Sequence, residues 1–293
     1  MKVISSIAEL RHELASFDKE QVALVPTMGC LHEGHISLIQ KARRLADIVV
    51  VSIYVNPMQF GQHEDFDRYP RTLEADIAIC EQEGVDFIFQ PQNLYPEDGL
   101  QVSLCVGSLA QRLCGISRKG HFDGVATVVN MLFHIVQPQL AIFGEKDFQQ
   151  LAMIRRMVTD LHIPVEIIGS ETVREKDGLA KSSRNTYLNA EQRKQAAEIS
   201  TALTLMQQAA AQGLSLEHTL ETGLAHLQAN HIQPEYLEIC YADSLLPVQS
   251  LDTNRPLRAL IAATIGNTRL IDNMPICPDT PANPNTEEHP LCA

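Results

Sequence analysis

The sequence predicts an α/β fold, with a doubly wound parallel sheet in an N-terminal domain and a smaller α+β domain after it. Three observations support this prediction. Between residues 20 and 172, apolar runs of strand length alternate with helical patterns. The run at 48–55, IVVVSIYV, is β-branched at nearly every position, as expected of a strand buried on both faces of a sheet. After about residue 175, a long alanine- and glutamine-rich helix and two late strand patterns replace this alternation.

The elements of the first domain follow one another as strand, helix, strand. Residues 1–20 predict a short strand and an amphipathic helix. Further strands are predicted at 22–26, 48–55, 86–90, 140–143 and 165–168, and helices at 31–46, 72–83, 125–136 and 148–161. Such repetition is typical of a Rossmann-like sheet with helices on both faces.

The second domain begins with a helix at 189–211, for which Asn189 is the predicted N-cap and Gly213 the stop. A second helix and strands at 236–241 and 257–263 predict a small antiparallel sheet. The predicted domains are therefore 1–175 and 176–273. The last twenty residues contain five prolines and no helix- or strand-like periodicity, which predicts a loosely ordered tail at 274–293 that has no catalytic role.

Composition limits the classes of function. Apolar residues make up 45% and charged residues 20% of the 293-residue chain, as in soluble globular proteins. The formal net charge of −13 disfavours a nucleic-acid partner, which needs a broad basic face, but permits a small anionic substrate. No apolar run approaches the ~18 residues that span a membrane, and the N-terminus lacks the apolar core of a signal peptide.

The cysteines indicate a reducing compartment. There are seven, an odd number, and none forms a CxxC pair. This pattern disfavours both a disulfide framework and a structural zinc site. It predicts reduced thiols in a cytoplasmic protein.

The segment PTMGCLHEGHISLI, residues 26–39, joins a predicted strand to its helix. Gly29 permits a sharp turn, and Leu31 is predicted to begin the helix. In open α/β sheets, ligands bind beyond the carboxyl ends of strands, where a helix N-terminus offers free N–H groups to phosphate. His32 and His35 would share one helical face there, and Gly34 would let a ligand come close to the backbone.

Two other interpretations of this histidine pair remain open on the residues alone. Both side chains could belong to a solvated surface in the first helical turn. A zinc site is the other alternative. However, the zincin motif places its two histidines four residues apart rather than three, and the sequence offers no evident third ligand.

The surrounding motifs resemble a known family. The tetrapeptide H-E-G-H is similar to the HIGH signature of the nucleotidyltransferase superfamily. The longer string at 26–39, with five further motifs in order, resembles the pantothenate synthetase (pantoate–β-alanine ligase) family. The five are VNPMQF (55–60), DFDRYPRT (65–72), GHFDGVATVV (120–129), FGEKDFQQL (143–151) and KSSRN (181–185). IGNTRLIDN (265–273) resembles the family's final strand, so the resemblance covers nearly the whole chain except the proline-rich tail.

This resemblance implies an ATP-dependent ligase. Pantoate would attack the α-phosphate of ATP to give pantoyl adenylate and pyrophosphate, and β-alanine would then displace AMP to give pantothenate. The resemblance also implies Mg²⁺ bridging the phosphates, a homodimer in the cytoplasm, and a second domain that closes over the first. The implied partners are small-molecule substrates, with neither nucleic acid nor membrane.

The resemblance implies catalytic roles for His32, His35 and Lys146. The histidines would stabilise the α-phosphate as it becomes five-coordinate, and His35 could also act as a general acid. Lys146 would supply a mobile charge for the β- and γ-phosphates, although a solvated helix entry is the plain alternative for this segment. The implied ATP-binding residues are Met28, Gly29, His32, Gly34, His35, Gly144, Glu145, Lys146, Asp147, Val173, Lys181, Ser182, Ser183 and Arg184.

Several of these residues carry a more specific expectation. Asp147 would cap its helix or contact ribose, and the Val173 backbone would lie near adenine. The KSSRN segment resembles the superfamily's flexible phosphate-binding loop, in which Ser182, Ser183 and Arg184 would bind phosphate. Lys181 stands where the family commonly has an apolar residue, and we expect its side chain to point to solvent.

The implied pantoate and β-alanine site consists of Gln59, Gln150, Asn56 and Arg118. Neutral amides can bind hydroxyl and carboxylate groups without the desolvation cost of a charge. Met28 and Phe60 would supply apolar walls. The ligands of Mg²⁺ are not assigned: Asp76 is a candidate, but we expect it on a solvated helix face.

Two alternatives to a ligase follow from the same motifs. A relative of the class I aminoacyl-tRNA synthetases would need a tRNA-binding surface, which a short, acidic chain without basic runs does not suggest. An inactive scaffold would be expected to have lost one of the two histidines or Lys146, and all three are present. Apolar patterns at 102–106 and 109–113 could form a dimer interface or belong to the core.

Overall fold

Nine strands and eight α-helices are defined in the computed structural model, which describes residues 1–17, 21–62 and 64–276. The first six strands are β1 (Lys2–Ile4), β2 (Val22–Thr27), β3 (Ile48–Ile53), β4 (Phe87–Phe89), β5 (Leu140–Gly144) and β6 (Glu166–Ser170). The helices among them are α1 (Ile7–Leu14), α2 (Glu33–Leu45), α3 (Leu73–Gln82), α4 (Cys114–Ser117), α5 (His121–Val136) and α6 (Phe148–Asp160).

These six strands form one parallel sheet in the order β1-β4-β3-β2-β5-β6. The chain winds outward from β2 in both directions, so the sheet is doubly wound as predicted. Strand β3 is buried along its whole length, as its apolar run indicated. Ligands of such sheets bind beyond the carboxyl ends near the reversal of strand order, here at β2 and β5.

Alternate residues of each central strand enter two separate cores. Ala23 and Val25 of β2 pack with α2 and α3 on one face. Val22 and Leu24 pack on the other face with α1, α5 and α6. Helices on both faces therefore exclude water from the sheet, and they leave its carboxyl edge as the open rim.

The remaining chain builds a second, antiparallel sheet with its own core. It contains α7 (Ala190–Ala211), α8 (Leu216–Ala229), β7 (Pro234–Tyr241), β8 (Leu257–Ile265) and β9 (Thr268–Ile276). The strands pair in sequence order, and α7 and α8 pack on them. Asn189 caps α7 by accepting the N–H groups of Glu191 and Gln192, which confirms the predicted cap.

Some predicted boundaries were wrong. Helix α5 begins at His121 rather than 125, directly after Gly120 in a left-handed conformation (φ 78°). Helix α2 begins at Glu33 rather than Leu31, because His32 is its N-cap. Strand β9 continues to Ile276, three residues into the predicted tail. The rest of that tail, 277–293, lies outside the described residues, and the domain boundary at 175 stays a prediction.

The apolar patterns at 102–106 and 109–113 contain both exposed and buried side chains. Val102 is 84% exposed, whereas Leu113 is 2% exposed and belongs to the core. Neither segment is a strand, and their role in a dimer interface stays a prediction. Of the helices in the described ranges, none is long and apolar enough to cross a membrane.

Candidate active site

One cavity of about 220 Å³ opens at the carboxyl edge of the parallel sheet. It brings together nearly all the residues singled out from sequence, from segments far apart in the chain. The predicted residues in its lining are Met28, His32, Gly34, His35, Asn56, Gln59, Phe60, Arg118, Gly144, Lys146, Asp147, Gln150, Val173, Lys181, Ser182, Ser183 and Arg184. Gly29 and Glu145 lie outside this lining.

Gly29 has a structural role behind the cavity. The turn after β2 places both Gly29 (φ 80°) and Cys30 (φ 52°) in the left-handed region. A Cβ at Gly29 would lie 2.9 Å from Oδ2 of Asp76, so glycine is required by space as well as by conformation. Gly29 therefore shapes the turn and does not contact the ligand space directly.

Asp76 fixes this turn from α3. Its Oδ2 accepts the Cys30 N–H at 2.9 Å and its Oδ1 accepts the Leu31 N–H at 2.8 Å. The side chain is only 1% exposed, so the expectation of a solvated helix face was wrong. Both oxygens are also committed to the backbone, which leaves Asp76 poorly suited to hold Mg²⁺.

The two histidines form a reciprocal cap at the start of α2. Nδ1 of His32 accepts the Gly34 N–H at 3.1 Å, and Nδ1 of His35 accepts the His32 N–H at 3.3 Å. Each Nδ1 is thus an acceptor, which assigns the proton of the neutral ring to Nε2. The pair therefore presents two Nε2–H donors in the cavity lining.

Both rings are held neutral. Burial, followed by the neighbouring His32, lowers the pKa of His35 to about 3. Burial and the charge of Lys146 also lower the pKa of His32. Near neutral pH the rings can donate hydrogen bonds but are not imidazolium, which weighs against the general-acid role considered for His35.

Gly34 is required by the first histidine. A Cβ at Gly34 would lie 2.9 Å from Cε1 and 3.0 Å from Nδ1 of His32. The missing side chain makes room for the imidazole itself. Its expected role, access of a ligand to the backbone, is therefore secondary to the packing of His32.

Lys146 and Asp147 enter the cavity from the turn after β5. The Lys146 Nζ lies 3.9 Å from Oδ2 of Asp147, and the lysine side chain is 21% exposed. The surroundings of Asp147 act to raise its pKa, but the charges of Lys146 and Arg184 outweigh this effect and hold the pKa below its usual value. Asp147 stands at the N-cap position of α6 without a side-chain capping bond, so the capping option was wrong.

Glu145, in the same turn, faces the other way. Its carboxylate accepts from Nη2 of Arg258 on β8 at 2.8 Å. The expectation that Glu145 binds ATP is therefore not supported. Its side chain instead joins the parallel-sheet domain to the antiparallel sheet.

The KSSRN segment closes one side of the cavity. Arg184 donates to both carboxylate oxygens of Asp65, at 3.1 and 2.9 Å. Oγ of Ser182 accepts the Arg184 N–H at 3.3 Å, which folds this segment into a tight turn. The guanidinium is thus held in place at the cavity wall.

Lys181 does not point to solvent as expected. Its side chain is 25% exposed, and its Nζ lies 3.1 Å from Oε2 of Glu33 at the start of α2. Its backbone N–H donates to the Val173 carbonyl at 2.9 Å. Val173 and Lys181 both line the cavity, and Lys181 adds a positive charge beside the start of α2.

The amides predicted to bind pantoate are interlinked. Nδ2 of Asn56 donates to Oε1 of Gln59 and to the Gly124 carbonyl, both at 3.1 Å. Nε2 of Gln59 donates to the Met28 sulfur at 3.0 Å. Gln59 belongs to a 3₁₀ turn, Pro57–Gln59, against which helix α5 packs. A Cβ at Gly124 of α5 would lie 2.3 Å from the Met58 carbonyl oxygen of that turn, so only glycine fits there.

Arg118 is neither at the surface nor free in the cleft. Its guanidinium binds Glu64 through two hydrogen bonds, at 2.8 and 2.6 Å. It also donates to Nε2 of His121 at 2.9 Å, while Nδ1 of His121 donates to the Gln59 carbonyl at 2.7 Å. His121 thus connects Arg118 to the backbone of Gln59.

Sequence reasoning missed two residues of this site. His121 lies in GHFDGV and Tyr69 in DFDRYPRT, and both line the cavity. The Arg184 guanidinium carbon lies 6.0 Å from the centre of the Tyr69 ring. The motifs contained both residues, but their chemistry is visible only once their partners are known. Asp76 was considered only as a metal ligand, and its role in holding the turn before α2 had no signal in the sequence.

The lining offers little to a metal on its own. Within the described ranges, no three histidine, cysteine, aspartate or glutamate side chains are grouped as metal ligands would be. Asp147 and Glu171 are carboxylates in the cavity lining. These residues fit a Mg²⁺ ion that phosphate oxygens and water hold, with at most one or two protein ligands.

Comparisons with known proteins agree with this geometry. The sequence model of the family described as pantoate-β-alanine ligase matches residues 2–275. A pantothenate synthetase of Pseudomonas putida is 48% identical over 280 residues, which cover 94% of this chain and 97% of that protein.

Solved structures give the same result. A pantothenate synthetase of Thermus thermophilus superposes with a TM-score of 0.89 at 46% identity, covering 94% of this chain and 99% of that one. A pantoate-β-alanine ligase of Francisella tularensis, solved with β-γ ATP and β-alanine, gives a TM-score of 0.79 at 34% identity over 94% and 98% of the two chains.

Proposed function

Because the chain belongs to the pantoate–β-alanine ligase family, we propose that it joins pantoate to β-alanine through a pantoyl-adenylate intermediate made from ATP. The observation that carries this proposal is the convergence of four groups on one cavity. These are two neutral imidazoles, the Lys146 amine and the Arg184 guanidinium. Each is a donor suited to phosphate oxygens.

In the first step, a carboxylate oxygen of pantoate attacks the α-phosphorus, and the bond between the α-phosphorus and the α,β-bridging oxygen breaks to release pyrophosphate. Negative charge grows on the α-phosphate oxygens as phosphorus becomes five-coordinate. The Nε2–H groups of His32 and His35 would stabilise that charge without transferring a proton. Lys146 and Arg184 would balance the charge on the departing pyrophosphate.

In the second step, the neutral amine of β-alanine attacks the acyl carbon of pantoyl adenylate. The bond to the phosphate oxygen breaks, AMP leaves, and the amine loses a proton to give the amide. The β-alanine bound in the Francisella tularensis relative supports a place for this substrate in the same fold. Ordering of the acyl group and exclusion of water would favour this reaction over hydrolysis.

Pantoate would lie on the amide side of the cavity. Asn56, Gln59 and Gln150 offer donors and acceptors for its hydroxyl and carboxylate groups. Met28 and Phe60 lie beside them and would contact its methyl groups. Arg118, held by Glu64 and His121, would bind a carboxylate at the cavity wall.

ATP would occupy the side nearest α2 and the KSSRN segment, with Val173 near adenine and Ser182, Ser183, Gly144 and Lys181 close to the nucleotide. Mg²⁺ would neutralise phosphate charge, and Asp147 or Glu171 could hold it. The ATP compound in the Francisella tularensis relative supports nucleotide use. On the family resemblance we also propose a homodimer that works in the cytoplasm and whose second domain, 176–273, closes over the first.

A pyrophosphate-release assay tests this function. We expect release from ATP with pantoate alone, limited to about one equivalent per active site, and continuous turnover when β-alanine is added. An absence of pantoate-dependent release would contradict the proposal. Release that tRNA and an amino acid support, but pantoate does not, would favour a synthetase-type nucleotidyltransferase instead.

A further inference from the structure

We propose that Asn273, on the last strand of the antiparallel sheet, is a positioning residue that fixes the backbone of Lys146 relative to the nucleotide site. The inference rests on the proposed function, because it assigns Lys146 to the phosphates. It adds that the second sheet contributes directly to the geometry of the ATP site. Two sets of contacts, the lack of capping bonds at the turn that carries Lys146, and the anchoring of the Asn273 backbone support it.

The first set is a pair of hydrogen bonds to the lysine's own backbone. Nδ2 of Asn273 donates to the carbonyl oxygens of both Glu145 and Lys146, each at 2.9 Å. Asn273 is 3% exposed, so these bonds form away from water. An amide buried in this way holds its acceptors firmly, because breaking the bonds would leave polar groups unsatisfied.

The second set fixes the amide itself. Oδ1 of Asn273 accepts from Nε of Arg258 at 2.6 Å, and Nη2 of the same arginine donates to Glu145 at 2.8 Å. The Arg258 guanidinium carbon also lies 3.9 Å from the centre of the Phe148 ring. Arg258 therefore orients the Asn273 side chain. It also contacts the turn that carries Lys146 on both sides, at Glu145 and at Phe148.

The third observation is that this turn lacks support of its own. Gly144 and Asp147 stand at the N-cap positions of the 3₁₀ turn and of α6, and neither makes a side-chain capping bond. An uncapped helix start depends on partners from elsewhere for its orientation. Here Asn273 supplies such a partner from a strand 127 residues further along the chain, and it binds the carbonyl oxygens of the turn rather than its N–H groups.

The backbone behind Asn273 is anchored in turn. Asp272 is 4% exposed, and Arg174 donates to both of its oxygens at 2.6 and 2.9 Å. Arg174 also donates to the Asn273 carbonyl at 3.2 Å. Arg174 follows Val173, so one network joins the predicted adenine contact, the middle of β9 and the turn that bears Lys146.

For the proposed ligase, these contacts fix the Lys146 backbone, from which the flexible lysine side chain extends. Lysine has four rotatable methylenes, but its reach is limited by where its backbone lies. A displacement of about 1 Å in a catalytic group can cost ~10²-fold in rate. Positioning by Asn273 therefore predicts an effect on ATP use that is larger than its effect on pantoate binding.

The test uses the full-length protein with Asn273→Asp. This change keeps the size and the acceptor for Arg258 but replaces the donor that binds the two carbonyls. We expect kcat/KM for ATP to fall about 10- to 100-fold, while KM for pantoate changes less than about twofold. Asn254→Asp, the same chemical change on an exposed loop of the second domain, is the matched control. Thermal unfolding confirms that each variant is folded.

A double-mutant cycle with Lys146→Ala separates positioning from general stability. If Asn273 acts through Lys146, Asn273→Asp should have less than about a twofold further effect when the lysine is absent. Equal effects in both backgrounds would overturn the proposal, as would wild-type ATP kinetics in a folded variant. If the aspartate variant fails to fold, Asn273→Ala replaces it in the same double-mutant cycle with Lys146→Ala, and the same outcomes apply.

Direct binding of a non-hydrolysable ATP analogue keeps this inference distinct from the proposed function. A wild-type protein without pantoate-dependent pyrophosphate release would contradict the function. In that case, weaker analogue binding in Asn273→Asp, dependent on Lys146, would still support the positioning role. Unchanged binding in the folded variant would overturn it.

Discussion

The imidazole rings of His32 and His35 lie with their centroids 4.1 Å apart and their planes tilted by 36°. Each ring accepts a backbone N–H through Nδ1, so the two residues cap α2 with the same atoms that fix their tautomer. The same two side chains therefore stabilise the helix start and supply hydrogen-bond donors to the cavity. The capping hydrogen bonds occupy both Nδ1 atoms, and the two Nε2–H groups remain available to donate to a ligand.

Substitutions at His35 can separate these two functions. In His35→Asn, the amide oxygen can replace Nδ1 and keep the cap, but the Nε2 donor is lost. His35→Gln places an amide donor near the Nε2 position. We expect kcat to fall ~10²–10³-fold in the asparagine variant, as for loss of one preorganised donor, and less in the glutamine variant. Steady-state kinetics check this order, and equal losses in both variants would argue against an Nε2–H role.

Asp76→Asn tests the support of the turn before α2. The substitution replaces one of the two acceptor oxygens with an NH2 group, which would face a backbone N–H group that needs an acceptor, at a buried position. We expect a loss of about 1.5–3 kcal/mol in the free energy of unfolding and a lower kcat, because His32 follows this turn directly. Denaturant unfolding and kinetics measure both effects. Glu74→Gln, exposed on the same helix, should change neither.

The amide pocket yields a prediction about substrate binding. Gln59→Ala should raise KM for pantoate with a smaller effect on KM for ATP, since its amide is linked to Asn56 in the proposed pantoate pocket. Gly124→Ala should give the same pattern, because the added methyl would displace the turn that carries Gln59. If either variant changes KM for ATP as much as KM for pantoate, the division of the cavity is wrong.

Stability should fall in mild acid because of His121. Burial and the charge of Arg118 lower its pKa to about 4, whereas in the unfolded chain a histidine titrates near pH 6.5. Between these values the unfolded state holds more protons, so the free energy of unfolding decreases as pH falls from 6.5 through 4.

At pH 5 this residue should account for a loss of about 2 kcal/mol relative to pH 7.5. Denaturant unfolding at the two pH values measures the loss. It should be smaller in His121→Asn and unchanged in His12→Asn, a matched change at an exposed position of α1. An unaltered difference in His121→Asn would show that His121 is not the titrating group.

Much of this site could be predicted from sequence because parallel strands end at one edge. Once the runs before Met28, Asn56 and Lys146 were identified as strands, their following residues had to lie on a common rim. The family resemblance added the KSSRN segment, which periodicity alone does not connect to that rim. The cavity lining contains all of these residues.

What could not be predicted depends on pairs that are remote in sequence. Asp76 lies 46 residues from the Cys30 N–H that it binds, and nothing in its own helix indicates that partner. The start of α2 was placed early because histidine is not among the common N-cap residues. The orientations of Glu145 and Lys181 depend on Arg258 and Glu33, and side-chain direction in a turn has no local sequence signal.

A crystal structure with a non-hydrolysable ATP analogue and pantoate tests the central claim most directly. The measured quantity is the set of distances from the phosphate oxygens to His35 Nε2, Lys146 Nζ and the Arg184 guanidinium. We predict hydrogen-bond distances of about 3 Å to each group, with pantoate on the Gln59 side. A triphosphate bound elsewhere, or one that leaves the histidines and Lys146 without contact, would contradict the account.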